Sequence, residues 1–132
     1  MTGSIYLDSA AVVKLVHAEN ETAALRAWLD ERIDATWTSS VLLEVEAFRA
    51  LARYAPEAAA RLPAVLDLIR LVELDAGARI LAQTVRPVTV RSLDAIHLAT
   101  ALRIRPASFV TYDKRLAEAA RESGLTVEMP GV

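Results

Sequence analysis

The sequence of 132 residues predicts an α/β fold built around a largely parallel β-sheet. Short apolar runs typical of buried strands alternate with longer amphipathic segments typical of helices, and this alternation favours parallel strands joined by helices. Two of the apolar runs, at residues 4–7 and 109–112, lead directly into aspartates, Asp8 and Asp113. No internal repeat, low-complexity tract or linker is visible, so we expect a single domain, residues 1–132.

The strand predictions rest on short runs of β-branched, aromatic and other apolar residues. We expect the last of these runs, which follows Gly124, to lie at an edge of the sheet. The predicted strands are residues 5–7, 35–38, 70–74, 109–111 and 126–128.

Hydroxyl and carboxylate side chains mark where several predicted helices begin, because they accept hydrogen bonds from the first free amides of a helix. Asp8 and Ser9 precede the first helix. Ser39 or Ser40 caps the third helix. Ser92 caps the sixth helix.

Proline and glycine mark helix ends and breaks. Pro56 blocks continuation of the third helix beyond Tyr54, Pro63 predicts a break or kink in the fourth, and Gly124 closes the last. The predicted helices are residues 10–16, 21–32, the segment from the Ser39 or Ser40 cap to 54, 57–68, 76–85, 93–102 and 114–122.

The net charge and the cysteine content limit the kinds of function that this protein can have. The net charge is -2, whereas proteins that coat DNA or RNA are usually strongly basic. The same charge does not argue against an enzyme with a metal site, whose acidic pocket stays negative until an ion binds. The absence of cysteine excludes disulfides, thiolate metal sites and cysteine nucleophiles. It also suits a reducing cytoplasm, where we expect the protein to act.

The chain is apolar for a small soluble protein, with 54% hydrophobic residues and a mean hydropathy of +0.29. No apolar run approaches the roughly 18 residues of a membrane span, and Asp8 comes too early for a signal peptide. We therefore expect no membrane segment, and we infer that a second subunit or a partner covers part of the apolar surface.

Four acidic residues occupy places where an α/β chain can assemble one metal site. Asp8 and Asp113 end strand-like runs. Glu46 lies in the third predicted helix and Asp94 begins the sixth. Ligands of open parallel sheets bind beyond the carboxyl ends of the strands. Oxygen-only clusters suit Mg²⁺ or Mn²⁺, ions that promote phosphodiester cleavage, so a metal-dependent nuclease is the leading hypothesis.

Three of these acids also have a simpler interpretation. Asp8 and Asp94 could cap helices or complement the helix dipole. Asp113, which is followed by Lys114 and Arg115, could lie in a solvated turn with weak ion pairs. The apolar neighbours of Asp94 favour the site, because a carboxylate among apolar residues needs a partner or an ion.

The third helix offers two acids, Glu44 and Glu46. Residues two apart on a helix project about 200° from each other, so only one of them can face the cleft. Arg49 follows Glu46 by three residues on the same face and can orient it. We favour Glu46 and keep Glu44 as the alternative.

Other polar residues could assist the acids. Ser9 and Thr111 could contribute hydroxyl contacts to the ion, to water or to a carboxylate. Lys14 could reach a phosphate or hold a carboxylate, although solvation at the surface explains it equally well. The two histidines, His17 and His97, lie in different segments, which argues against a histidine metal site. Packing or hydrogen bonding accounts for His97 better.

Two other functions are alternatives on the residues alone. An aspartyl-phosphate receiver or phosphatase needs a second acid directly after the first-strand aspartate or two residues after it. Ser9 and Ala10 follow Asp8, so this pattern fails at its first step. A non-catalytic interaction domain would keep the acids for capping, and it would show no thermal shift with Mg²⁺ or Mn²⁺.

Four segments carry a family resemblance: residues 92–101 (SLDAIHLATA) most specifically, then 5–15 (IYLDSAAVVKL), 39–51 (SSVLLEVEAFRAL) and 110–117 (VTYDKRLA). Together they resemble a PIN domain, and more narrowly the VapC toxins of bacterial VapBC toxin–antitoxin pairs. In this family the glutamate lies six residues after a serine and three before an arginine. Ser40, Glu46 and Arg49 match this spacing.

The resemblance implies a PIN-like three-layer α/β/α sandwich with a central, mostly parallel sheet. It implies a Mg²⁺-dependent endoribonuclease, with Mn²⁺ able to replace Mg²⁺, that acts as the toxin of a toxin–antitoxin pair. It also implies three partners: RNA as substrate, a cognate VapB-type antitoxin whose C-terminal segment covers the cleft, and a second copy of the chain. The family acids correspond to Asp8, Glu46, Asp94 and Asp113.

Overall fold

Five parallel strands form the centre of the computed structural model, which describes residues 3–132. The strands are β1 (Ser4–Leu7), β2 (Thr36–Ser40), β3 (Ile69–Val72), β4 (Ser108–Val110) and β5 (Val127–Glu128). They lie in the order β3-β2-β1-β4-β5, and every neighbouring pair is parallel. The predicted parallel sheet is therefore confirmed, with β5 at an edge. Met1 and Thr2, which belong to the predicted domain, lie outside the described residues.

Helices cover both faces of the sheet and complete the three layers. The helices are α1 (Ser9–Val16), α2 (Thr22–Asp30), α3 (Leu42–Tyr54), a 3₁₀ helix (Pro56–Arg61), α4 (Leu62–Leu66), α5 (Ala76–Ala82), α6 (Ser92–Ile104) and α7 (Lys114–Glu122). One core packs α1 to α4 against the sheet, and a second core packs α6 and α7, with the end of α5, against the other face. Among residues 3–132, none of the helices has the length and apolarity that a bilayer crossing requires.

The two cores follow from the alternation of side chains along the central strand. Ile5 and Leu7 of β1 enter the core beneath α1 and α3, whereas Tyr6 between them enters the core beneath α6 and α7. All three side chains are at most 1% exposed. A strand that is buried on both faces reads as a continuous apolar run, which is why the period-two pattern is hidden in the sequence.

Two predicted helix caps are wrong in detail. Ser39 and Ser40 belong to β2, because the ladder to β3 continues through the pair of Ser40 with Val72. The Ser39 hydroxyl donates to the Leu7 carbonyl at 2.7 Å, while the Ser40 hydroxyl accepts from the Leu42 amide at 3.2 Å. Ser40 therefore still satisfies the start of α3, but from the end of a strand.

The other helix boundaries differ by a few residues. Ser92 is the first residue of α6, not its cap, and Arg91 precedes it without a side-chain hydrogen bond to the helix. The predicted break near Pro63 is present, because a 3₁₀ helix gives way to α4 with proline in its first turn. The predicted 114–122 helix is confirmed as α7, and Gly124 follows it at a φ of +94°.

Candidate active site

The sheet topology places two of the predicted acids side by side. The strand order reverses direction at β1, since β2 lies on one side of it and β4 on the other. At such a point the loops that follow neighbouring strands diverge and leave a crevice. Asp8 directly follows β1, and Asp113 lies three residues beyond the end of β4. The Asp8 amide donates to the Val110 carbonyl at 3.2 Å, which ties the two strand ends together.

Asp8 is buried, with 4% of its surface exposed. Its Oδ1 accepts from the Ala11 amide at 2.9 Å, and its Oδ2 accepts from the Thr111 hydroxyl at 2.5 Å. Burial raises the pKa of Asp8, against the lowering effect of these two hydrogen bonds and of His97, and the negative charge of Asp94 raises it further. Capping of α1 and membership of an acidic site therefore coexist in one carboxylate.

Thr111 links Asp8 to Asp113. Its hydroxyl donates to Asp8 and accepts from the Asp113 amide at 3.1 Å. The Asp113 Oδ1 accepts from the amides of Arg115 and Leu116 at 2.9 and 3.2 Å, which makes Asp113 the cap of α7. The predicted hydroxyl contact of Thr111 is thus made to a carboxylate.

Asp94 lies in the first turn of α6 and accepts no hydrogen bond from any residue in 3–132. It is half-buried. Burial raises the pKa of Asp94, and the negative charges of Asp113 and Glu46 raise it further, while His97 and Arg91 lower it. The charges of Asp113 and Glu46 therefore act on Asp94, and the charge of Asp94 acts on Asp8.

The two glutamates of α3 diverge, as the helical spacing predicts. Glu46 has a side chain that is 18% exposed, and its Oε1 lies 2.5 Å from His97 Nε2. Glu44 is exposed and lines a separate groove of about 500 Å³ together with Arg49. The structure thus turns Glu46, and not Glu44, towards His97, and the charge of Glu46 lies close enough to Asp94 to raise the pKa of that carboxylate.

The donor set suits a hard cation. All four side chains offer carboxylate oxygens, which Mg²⁺ and Mn²⁺ prefer. Within residues 3–132, no group of three or more histidine, aspartate or glutamate side chains is arranged to hold a metal ion as it stands. Mg²⁺ usually keeps several waters and binds through one or two carboxylates, so an open group of acids fits this ion better than a closed cage would.

Comparison with known proteins decides the family. The model of the PIN domain family matches residues 5–122. Ribonuclease VapC35 of Mycobacterium tuberculosis is 44% identical over 131 residues, which cover 96% of this chain and 97% of that protein. This chain belongs to the PIN domain family, in its branch of VapC-type ribonucleases.

Solved structures of low sequence identity share the fold of this PIN domain. The crystal structure of Mycobacterium tuberculosis VapC20, a sarcin-ricin loop cleaving toxin, matches with a TM-score of 0.78 at 16% identity, over 96% of this chain and 100% of that one. VapBC2 from Rickettsia felis, bound to a DNA fragment from their promoter, matches with a TM-score of 0.72 at 13% identity, over 94% of this chain and 96% of that one. The predicted three-layer PIN-like sandwich is confirmed.

Two accessory candidates of this PIN domain, Arg49 and Lys14, lie elsewhere than the sequence predicted. Arg49 is exposed and makes no ion pair with Glu46 among the residues that the structure describes; His97 contacts Glu46 instead. Lys14 pairs with Glu19 at 3.0 Å and with Glu21 at 3.3 Å, so its charge is engaged away from the four acids. Ser9 is half-buried in the first turn of α1.

Sequence reasoning about this PIN domain missed two arginines. A cavity of about 350 Å³ is lined by Asp94 and Asp113 together with Arg91 and Arg115. Each arginine lies two or three residues from an acid in the sequence, and this proximity was the available signal. Glu118 and Glu122 also line the cavity, so the two arginines are its positive charges among four acids. Such charges can engage the phosphates of a phosphodiester substrate.

Proposed function

We propose that this PIN domain is a Mg²⁺-dependent endoribonuclease that acts as the toxin of a toxin–antitoxin pair. One observation carries the proposal: Asp94 is half-buried, accepts no hydrogen bond from residues 3–132 and lies among the negative charges of Glu46 and Asp113. A carboxylate in such surroundings is stabilised by a cation. The 44% identity to a ribonuclease supports hydrolysis of RNA as the use of that cation.

The four acids would have different roles in metal binding. Asp8, Asp94 and Glu46 would hold one Mg²⁺, directly or through water, and Asp113 would complete the site or bind a second ion. Mn²⁺ would substitute, since it accepts the same oxygen ligands. The bound ion would polarise the phosphodiester and lower the pKa of water for in-line attack. Thr111 fixes Asp8 through its hydroxyl, and this hydrogen bond leaves the carboxylate little freedom to turn.

Three partners belong to the proposal. RNA would enter the cavity between Arg91 and Arg115, whose charges can engage phosphates. A VapB-type antitoxin would cover the cleft, which is supported by the likeness to VapBC2. A second copy of the chain would cover part of the exposed apolar surface. The single domain of residues 1–132 would act in the cytoplasm.

The proposed function is tested by cleavage of total RNA with purified, partner-free protein, in Mg²⁺ or Mn²⁺ and in EDTA. We expect discrete products with either metal, and none in EDTA. Asp94→Asn should lower cleavage by more than about 100-fold, because even groups that only orient metal ligands are worth about 10–100-fold. Asn has nearly the same volume, so circular dichroism should show an unchanged fold.

A matched pair on α3 is the control. Glu46→Gln should lose cleavage, whereas Glu44→Gln should keep it, because Glu44 faces the separate groove. Cleavage that persists in EDTA or in Asp94→Asn would contradict the proposal. If cleavage followed Glu44 and not Glu46, the site would be placed wrongly.

A further inference from the structure

A buried chain of hydrogen bonds runs from the central sheet to Glu46. The Ser40 amide lies 3.2 Å from the Tyr6 hydroxyl oxygen. That oxygen lies 2.6 Å from His97 Nδ1, and His97 Nε2 lies 2.5 Å from Glu46 Oε1. Tyr6 is 0% exposed and His97 is 1% exposed, so water takes little part in the chain. The four members come from β2, β1, α6 and α3.

The direction of each hydrogen bond follows from the donors available. The Ser40 amide can only donate, so the Tyr6 oxygen accepts from it. The Glu46 carboxylate can only accept, so His97 Nε2 donates to it across 2.5 Å. A neutral ring carries one proton, so Nδ1 is then an acceptor for the Tyr6 hydroxyl at 2.6 Å. The Ser39 side chain is the other side-chain partner of that hydroxyl.

Tyr6 is well suited to hold this direction. Tyrosine has an ordinary pKa of about 10, so the Tyr6 phenol keeps its proton at neutral pH. Its ring stacks on Phe109 at a centroid distance of 5.2 Å and meets the His97 ring edge-on at 5.8 Å. Tyr6 belongs to the central strand of the sheet, which is the least mobile place from which to set the orientation of a side chain.

The opposite tautomer of His97 would place an unprotonated Nε2 against the Glu46 carboxylate. Two lone pairs would then face each other, and Glu46 would turn away towards solvent. The hydrogen bond that exists leaves Glu46 Oε2 unused by residues 3–132 and therefore available to a cation. The tautomer thus decides where the carboxylate of α3 points.

We propose that Tyr6 and His97 are positioning residues for Glu46: Tyr6 selects the Nε2–H tautomer of His97, and His97 fixes the glutamate at the acidic site. The inference rests on the proposed function in that Glu46 is taken as one of the metal-binding acids. His97 itself touches neither metal nor substrate in this arrangement. Asp94 lies one turn before His97 on α6, so one helix supplies both an acid and the group that orients another.

The tautomer is measured by ¹⁵N NMR of histidine-labelled protein in EDTA. The chain has two histidines, and His17→Gln removes the other one, which is half-exposed. We expect a single proton on the His97 ring, bound to Nε2, with the resonance of an unprotonated nitrogen at Nδ1. In Tyr6→Phe this pattern should be lost, because the donor to Nδ1 is gone. A proton on Nδ1 in the otherwise wild-type protein, alone or together with one on Nε2, would overturn the inference.

A matched pair of substitutions tests the consequence for cleavage. Gln places its amide nitrogen where His97 Nε2 lies, whereas Asn places its amide near Nδ1 and cannot reach Glu46. We expect His97→Asn to lower kcat by about 10–100-fold with little change in KM, the usual effect of losing a group that orients a metal ligand. His97→Gln should retain most of the activity. Equal losses in the two folded variants would refute the positioning role.

The two arms separate this inference from the proposed function. If wild type cleaves no RNA but the NMR pattern is as expected, the arrangement of Tyr6 and His97 stands and the nuclease assignment fails. If wild type cleaves RNA and the tautomer is Nδ1–H, the nuclease stands and the positioning role fails.

Discussion

Each acid of the site has a distinct immediate environment at the scale of single residues. Asp8 is fully engaged by the Ala11 amide and the Thr111 hydroxyl, whereas Asp94 accepts no hydrogen bond from residues 3–132. The fixed carboxylate can serve as an anchor, and the unengaged one has the most to gain from a cation. Substitution of Asp94 is therefore the better test of metal binding. Substitution of Asp8 is the better test of how burial of a carboxylate affects stability.

The raised pKa of Asp8 predicts a pH-dependent stability of the metal-free protein. Between the ordinary carboxyl pKa of 3.8 and the raised one, the folded state binds more protons than the unfolded state. The free energy of unfolding therefore falls as pH rises through this window, and the loss persists at pH 7. Asp8→Asn should remove this loss and raise the melting temperature in EDTA by roughly 3–5 °C, equivalent to about 1 kcal/mol in a domain of this size.

Thermal melts from pH 4 to pH 8 in EDTA measure this effect. Asp113→Asn is the control, because Asn caps a helix about as well as Asp and should change the melting temperature less. A lower melting temperature of Asp8→Asn at pH 7 would mean that the charged carboxylate stabilises the fold, contrary to the prediction. Cleavage should be lost in Asp8→Asn whatever its stability.

At the scale of elements, three of the four segments that supply an acid also supply a group that orients an acid, and α3, which carries Glu46, is the exception. The β1–α1 segment carries Asp8 and Tyr6, and α6 carries Asp94 and His97. The segment after β4 carries Asp113, and Thr111 two residues before it. On each of these three segments, the orienting group acts on an acid of another segment. Hydrogen bonds between elements therefore hold the acids in place.

The segments around the cavity also predict how RNA binds. Arg91 precedes α6 and Arg115 lies in the first turn of α7, on two sides of the same cavity. Arg91→Ala and Arg115→Ala should each weaken binding of single-stranded RNA about equally for all sequences. Each should also reduce the slope of log K against log salt by about 0.7, as expected for the loss of one phosphate contact on a single strand.

Fluorescence anisotropy of labelled RNA on the Asp94→Asn background measures this binding without cleavage. Arg53→Ala is the matched control, since Arg53 is exposed on α3 over the Tyr54 ring and does not line the cavity. If Arg53→Ala changed the salt slope as much as the two cavity arginines, the binding path would lie elsewhere on the surface.

At the scale of the whole molecule, the large apolar side chains that remain exposed outside the two cores predict self-association. Val45 and Phe48 on α3 are 59% and 51% exposed, and both line the groove beside Glu44. We expect light scattering after size exclusion to give twice the chain mass of 14.4 kDa for the partner-free protein. A mass of a single chain at micromolar concentration would contradict the predicted homodimer and leave a partner protein as the cover for this surface.

The sequence by itself determined the fold class and the approximate positions of the strands, and it predicted the four acids. These features are local: burial of apolar runs sets strands, and residues two apart on a helix must face differently, which separates Glu46 from Glu44. A strand end followed by aspartate is also a local pattern, visible at Asp8 and in the segment after β4.

Only the tertiary structure decided which groups hold those acids. Thr111 meets Asp8 across 103 positions of the chain, Tyr6 meets His97 across 91, and His97 meets Glu46 across 51. Arg49, the partner that the helix spacing suggested for Glu46, points elsewhere, and Ser39 is used by the sheet. A hydrogen bond depends on the approach of two atoms to within about 3 Å, and that approach is set by strand order and packing, which no local sequence pattern contains.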